Sequence, residues 1–164
     1  MSRAYLGLGS NVGDRRANLS AAIDSLDRAI EIDGLSWVYR TEPLGHARQP
    51  DFWNLAATGV TNLTPDALLE ALHEIEERLG RERRFRYAPR TLDIDLLLFD
   101  DTVVSSPSLT VPHARMLDRA FVLRPLLDLS PGLTHPVTGR ALADYVDRAE
   151  GRVTRLFPGA ELVR

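Results

Sequence analysis

Apolar residues recur along this chain with two different periods, and the switches between them mark out its elements. AYLGLG reads as a short apolar strand that breaks at Gly9, Ser10 and Asn11. From about Asp14, Leu19, Ile23, Leu26 and Ile30 recur at helical spacing, which predicts an amphipathic helix stopping near Asp33 and Gly34. Leu35, Trp37 and Tyr39 then alternate with Ser36, Val38 and Arg40, as in a strand running to Thr41. EPLGHARQPD, with two prolines and a glycine, reads as a loop, and loops of this length inside a compact domain are often functional. Phe52 to Thr61 forms the next strand, and its period of two puts Phe52 and Asn54 on one face.

Thr64 and Pro65 make a strong helix start, the first as N-cap and the second at the first helical position. Leu68, Leu69, Leu72, Ile75 and Leu79 supply that helix with a buried face, and Gly80 fits its C-terminal stop. A strand follows at Asp93, then a hairpin return at TVVS. A helical stretch is expected around Met116 to Leu129, another over Thr138 to Arg148, and a last short strand at RVTRLF. The order of elements predicts an α+β fold: a ferredoxin-like antiparallel sheet with a βαββαβ core and its helices on one face, extended by a C-terminal hairpin and helices. With no repeat and no interdomain linker, residues 1–164 are expected to form a single domain.

The stretch that carries chemistry is RERRFRYAPRTLDIDLLLFD, from Arg81 to Asp100. Its first half holds five arginines, Arg81, Arg83, Arg84, Arg86 and Arg90, and its second half sets Asp93 and Asp95 two apart in an apolar run. Strand alternation places Asp93, Asp95 and Leu97 on one side and Ile94, Leu96 and Leu98 on the other. Two carboxylates on one half-buried face repel each other and resist desolvation, and a divalent cation relieves both costs. Oxygen ligands suit Mg²⁺, and guanidinium forks beside such a pair match the oxygens of a polyphosphate. A merely solvated strand face would also carry acids, but it gives no reason for the run LLLF that follows Asp95.

Composition narrows the classes. At 164 residues, 44% hydrophobic and 26% charged, the chain suits a compact domain with a real core. A net charge of −3 argues against a nucleic-acid binder, so the arginines are a local feature of an acidic protein. The absence of cysteine removes disulfides, thiolate catalysis and cysteine-ligated zinc. No window reaches the 18 or so apolar residues of a membrane span, and no secretory leader is evident, so a cytoplasmic location is expected with no membrane partner.

RYAPRTLDIDLLLFD resembles the signature of the 6-hydroxymethyl-7,8-dihydropterin pyrophosphokinases of folate synthesis. GLGSNVGD, YRTEPLGHARQPDFWN and LTVPHARMLDRAF fit the same family in order, covering most of residues 4 to about 130. The resemblance implies transfer of diphosphate from ATP to 6-hydroxymethyl-7,8-dihydropterin with release of AMP, by a monomer. Asp93 and Asp95 would then hold two Mg²⁺ ions, with Arg81 and Arg90 as catalytic residues. Arg83, Glu76, Tyr87 and Leu96 fall on the nucleotide side with Thr110, His113 and Arg119. The pterin pocket would comprise Gly9, Asn11, Thr41, Pro43, Leu44 and Asn54, with Phe52 and Phe121 stacking on the ring. Because five like charges in ten residues repel one another, Arg81 to Arg90 is expected to act as a lid that orders over ATP.

Some positions depart from the best-known form of this pattern. Phe52 stands where a tyrosine can occur, Tyr87 where a tryptophan can occur, and Ala114 follows His113 where an aromatic can occur. The ring at position 52 is retained, whereas Ala114 loosens the packing expected around the base. The alternative of another class is a non-catalytic nucleotide- or pterin-binding regulatory domain, which would bind ligand without consuming ATP.

Overall fold

The computed structural model describes residues 1–42, 49–80 and 91–163. Its first seven elements are β1 (Ser2–Ser10), α1 (Arg15–Leu26), β2 (Glu31–Leu35), β3 (Trp37–Thr41), β4 (Phe52–Thr61), α2 (Pro65–Leu79) and β5 (Asp93–Phe99). They are followed by β6 (Val104–Ser105), β7 (Thr110–Val111), α3 (Ala120–Leu129) and β8 (Val153–Pro158), with 3₁₀ turns at Met116–Asp118, Leu142–Arg148 and Gly159–Leu162. The helix starts follow from local chemistry. Asp14 accepts a hydrogen bond from the Ala17 N–H at 3.0 Å, and the Thr64 hydroxyl accepts from the Ala67 N–H at 3.2 Å ahead of Pro65.

Five strands lie in the order β5-β1-β4-β3-β8, β2 pairs with β4 beside β3, and every pairing is antiparallel. The return expected at TVVS pairs not with β5 but with Thr110–Val111, so that β6 and β7 form a small sheet of their own. Alternation along the strands gives the sheet two apolar faces. Leu6, Leu8, Leu55, Ala57 and Ile94 pack with Leu19 and Ile23 of α1 and Leu68 and Leu72 of α2. Ala56, Leu97 and Leu98 pack with Leu123 and Leu126 of α3 and with Leu142. Helices therefore cover both faces: α1 and α2 share one, as expected, and α3 closes the other.

Four local expectations change, three of them where a neighbour distant in sequence intervenes. The first helix ends at Leu26, and Gly34 lies inside β2. A Cβ at Gly34 would sit 2.9 Å from Thr58 Cγ2 and 3.3 Å from Leu129 Cδ2, so this glycine permits close crossing of sheet and helix rather than stopping a helix. The strand expected from Leu35 to Thr41 is broken at Ser36, where the hydroxyl accepts from the Ala56 N–H at 2.8 Å and donates to the Trp37 carbonyl at 2.8 Å. The helix expected from Met116 is interrupted at Arg119. There Glu150 N–H donates to the Asp118 carbonyl (2.8 Å) and Ala120 N–H to the Glu150 carbonyl (2.9 Å), which ties the junction to another segment. The last helix is a 3₁₀ turn confined to Leu142–Arg148.

β5 departs from simple alternation. Tyr5 pairs with Leu98 but Leu6 with Leu96, which leaves Leu97 as an extra residue. Both Leu97 and Leu98 then join the core beneath α3, so Leu98 does not share the face of Ile94 and Leu96. The bulge lies beyond the two aspartates and leaves their common face intact.

Candidate active site

Strand register assembles one row of side chains across the sheet. Gly9 pairs with Asp93 on one side and with Asn54 on the other, and Asn54 pairs with Tyr39. Directly paired residues share a face, so Asp93, Gly9, Asn54 and Tyr39 form a line on the side covered by α3. Asp95 pairs with Gly7 in the next row on that face. The glycines on β1 add no side chain of their own there, and neighbours lie over them: a Cβ at Gly9 would sit 2.6 Å from Asn54 Oδ1, and one at Gly7 3.4 Å from Leu97 Cδ1.

On the β4 side, Phe52 pairs with Thr41, and Asn54 Nδ2 donates to the Thr41 hydroxyl at 3.0 Å. Asn11, just past β1, is 1% exposed. Its Nδ2 donates to Gln49 Oε1 at 3.3 Å, whereas its Oδ1 is buried with no hydrogen-bond partner among the described residues. A buried carbonyl left so is costly, and a ligand donor would satisfy it. The structure thus brings Gly9, Asn11, Thr41, Phe52 and Asn54 together as expected. Phe121 stands in the first turn of α3, with the Arg119 guanidinium 5.5 Å from its ring centre. Pro43 and Leu44 lie outside the described residues.

On the other side of β1, a cleft of about 840 Å³ opens along β5, between α2 and the segment after β7. Glu76, Leu96, Thr110 and His113, assigned above to the nucleotide side, line it together with Asp93 and Asp95, whereas Arg119 is not among its lining residues. Leu69, expected on the buried face of α2, and His73, given no role by the motifs, also line it. Their signal was present: Leu69, His73 and Glu76 stand at i, i+4 and i+7 of one helix and so share a face. Ala114 lines the same cleft with its small side chain. Arg81, Arg83, Tyr87 and Arg90, and with them the expected lid, lie outside the described residues.

The charges in this cleft are set by burial and by close neighbours. Burial pushes the His113 imidazole below its ordinary pKa and Arg119 acts in the same direction, against a smaller opposing pull from Asp93. The ring is therefore neutral at neutral pH. Its Nδ1 accepts from the Arg115 N–H at 3.3 Å, which leaves the proton on Nε2, 4.0 Å from Asp95 Oδ1. His113 N–H donates to the Leu97 carbonyl at 2.9 Å and so anchors this segment on the open edge of β5. Burial also lowers the Arg119 pKa, and Asp95 and Asp93 oppose that effect, but an arginine so placed keeps its charge. Arg119 Nε is buried without a hydrogen-bond partner among the described residues. Those residues include no group of three or more His, Cys, Asp or Glu side chains arranged to hold a metal, so Asp93 and Asp95 stand as a pair.

The model of the family described as 7,8-dihydro-6-hydroxymethylpterin-pyrophosphokinase matches residues 5–131. A Pseudomonas aeruginosa protein named 2-amino-4-hydroxy-6-hydroxymethyldihydropteridine pyrophosphokinase is 43% identical over 162 residues, which covers 98% of this chain and 99% of the relative. An Aquifex aeolicus protein of the same name is 39% identical over 145 residues, covering 88% of this chain and 91% of that one. Among solved structures, Plasmodium falciparum HPPK-DHPS wild type with STZ-DHP superposes with a TM-score of 0.71 at 16% identity, over 90% of this chain. That likeness concerns the fold alone. The chain spans 43% of the Plasmodium chain, less than half its length.

Proposed function

The chain belongs to the 7,8-dihydro-6-hydroxymethylpterin-pyrophosphokinase family, and from that premise we propose that the row from Asp93 to Asn54 and the cleft beside β5 form its active site. The protein is a pyrophosphokinase of folate biosynthesis that transfers diphosphate from ATP to 6-hydroxymethyl-7,8-dihydropterin. The observation that carries the site is the position of Asp93 and Asp95: same face, same cleft, and one row across from Asn54.

In this reading the nucleotide occupies the β5 cleft, held by Glu76, Leu96, Thr110, His113 and Arg119. Neutral His113 offers its Nε2–H as a donor, and Arg119 brings positive charge toward the phosphates. The pterin lies on the β4 side. Asn54 and Thr41 read its edge, the unsatisfied Asn11 oxygen takes a ring donor, and Phe52 and Phe121 sandwich its plane. Pro43 and Leu44 complete that pocket on the strength of the sequence motif alone, as do Arg81, Arg83, Arg90 and Tyr87 on the phosphate and nucleotide side.

The aspartate pair fits Mg²⁺. It offers only hard oxygen donors, and a magnesium site built on one or two carboxylates is completed by substrate phosphates and water, so no third protein ligand is required. A pair of ions held by Asp93 and Asp95 would neutralise the triphosphate and stabilise the entering and leaving oxygens. The protein's own part is placement. With the pterin hydroxymethyl presented from the β4 side, its oxygen forms a bond to the β-phosphorus as the bond to the α-phosphate oxygen breaks, and AMP remains in the cleft. The order β5-β1-β4-β3, with α1 and α2 on one face, supports a ferredoxin-like βαββαβ core as the platform for this site, extended by β6 to β8 and α3. The test is product identity: AMP must form from ATP only when the dihydropterin is present. ADP formation, or ATP consumption without pterin, would overturn the assignment.

A further inference from the structure

We infer that Asp128, near the C-terminal end of α3, is a positioning residue that sets how closely α3 holds Phe121 over the sheet, and thereby the width of the aromatic slot between Phe121 and Phe52. The inference rests on the reading of those two rings as the pterin stack. Asp128 Oδ2 accepts from the Tyr39 hydroxyl at 2.7 Å and from the Trp37 N–H at 3.3 Å. Its Oδ1 accepts from Arg155 Nη2 at 2.8 Å, and Arg155 Nε donates to the Tyr39 oxygen at 3.2 Å. One carboxylate, only 12% exposed, therefore ties α3 to both β3 and β8.

The network reaches the slot from two directions. Tyr39 pairs directly with Asn54, so the hydroxyl that Asp128 holds belongs to a side chain in the substrate row itself. Phe121 and Asp128 are seven residues apart on one helix, hence on the same face and about 10 Å apart along the axis. A rotation or lift of α3 at Asp128 is carried to Phe121 by the rigidity of two helical turns.

Apolar packing alone leaves this side of α3 loose. Leu123 and Leu126 seat the helix against Ala56, Leu97 and Leu98, but between α3 and β8 a cavity of about 650 Å³ remains, lined by Arg124, Asp128, Arg152 and Arg155 among others. The first turn is held separately, by the Ala120 N–H donating to the Glu150 carbonyl at 2.9 Å. Although Pro125 has no N–H to offer the Phe121 carbonyl, α3 runs unbroken from Ala120 to Leu129, so Phe121 and Asp128 remain parts of one helix. What fixes the tilt of the helix on the β3 and β8 side is the fully bonded Asp128 carboxylate.

The test is a double-mutant cycle of Asp128→Asn and Phe121→Ala, with KM for each substrate and the melting temperature as readouts. Asp128→Asn is expected to raise the pterin KM roughly tenfold and leave the ATP KM within about twofold, and to add less than about twofold when Phe121 is already alanine. A purely structural role would lower the melting temperature without separating the two KM values. If Asp128→Asn costs the same with and without the Phe121 ring, the positioning role is wrong while the stack survives. If Phe121→Ala alone leaves the pterin KM unchanged, the stack is wrong and the inference falls with it. Should Asp128→Asn fail to fold, Tyr39→Phe removes one bond of the network and must raise the pterin KM by about threefold, with the ATP KM steady. An unchanged pterin KM in that variant overturns the proposal.

Discussion

Gly9 and Asn54 face each other across β1 and β4 so closely that a Cβ at position 9 would lie 2.6 Å from Asn54 Oδ1. The clash is with the end of a side chain, so Gly9→Ala displaces the amide more readily than it unfolds the sheet. The displaced amide loses its alignment with the Thr41 hydroxyl and with the pterin edge. Expected is a pterin affinity about tenfold weaker, the worth of one hydrogen bond, with a small change in melting temperature. Calorimetric titration with pterin, alongside a thermal scan, checks it; unchanged affinity would remove Asn54 from the pocket.

Asp93→Asn and Asp95→Asn preserve shape and remove one negative charge each. Each is expected to lower kcat at least about a hundredfold, because metal-bridged stabilisation of the transition state is worth several kcal/mol. The circular dichroism spectrum and melting temperature should stay close to those of the parent. Turnover within about twofold of the parent in either variant would dismiss the pair as metal ligands.

Phe52→Ala should weaken pterin binding by about 1–3 kcal/mol, the usual worth of stacking on one aromatic face, and leave nucleotide binding almost untouched. Phe52 is half-buried at the start of β4 and not in either core, so the substitution is not expected to unfold the protein. Equal losses for both ligands would show that the ring supports the fold and not the pocket.

His135 predicts how stability depends on pH. It is 7% exposed, and its Nδ1 accepts from the N–H groups of Val137 and Thr138, each at 3.3 Å. Burial holds its folded pKa below the ordinary value. The unfolded chain therefore takes up the proton first as the pH falls. The contribution of His135 is complete above about pH 6.5 and is lost on acidification through the depressed folded pKa. Burial of His113 acts with the same sign. His135→Asn, whose side-chain oxygen can replace the accepting nitrogen, should flatten the loss of stability between pH 7 and pH 5. Urea midpoints at the two pH values measure it, and an unaltered slope would rule His135 out.

Much of this protein was legible wherever a few neighbouring residues settle the matter. Thr64 and Pro65 start α2 through a cap and a fixed φ, and Asp93 and Asp95 share a face because strand side chains alternate. The family motifs carried the reaction. Long-range neighbours decided the rest. Gly34 reads as a helix stop until Thr58 and Leu129 are found against it, and Leu98 changes face because β1 forces a bulge at Leu97. His73 enters the cleft along β5 only once α2 lies beside that strand. The proposed site is a line through Tyr39, Asn54, Gly9 and Asp93, drawn from four strands far apart in the chain. Local periodicity says which face of its strand each of them occupies, but the register that aligns them is set by the joint burial of two apolar faces under α1, α2 and α3, an energy that belongs to the whole sheet and to no segment of it.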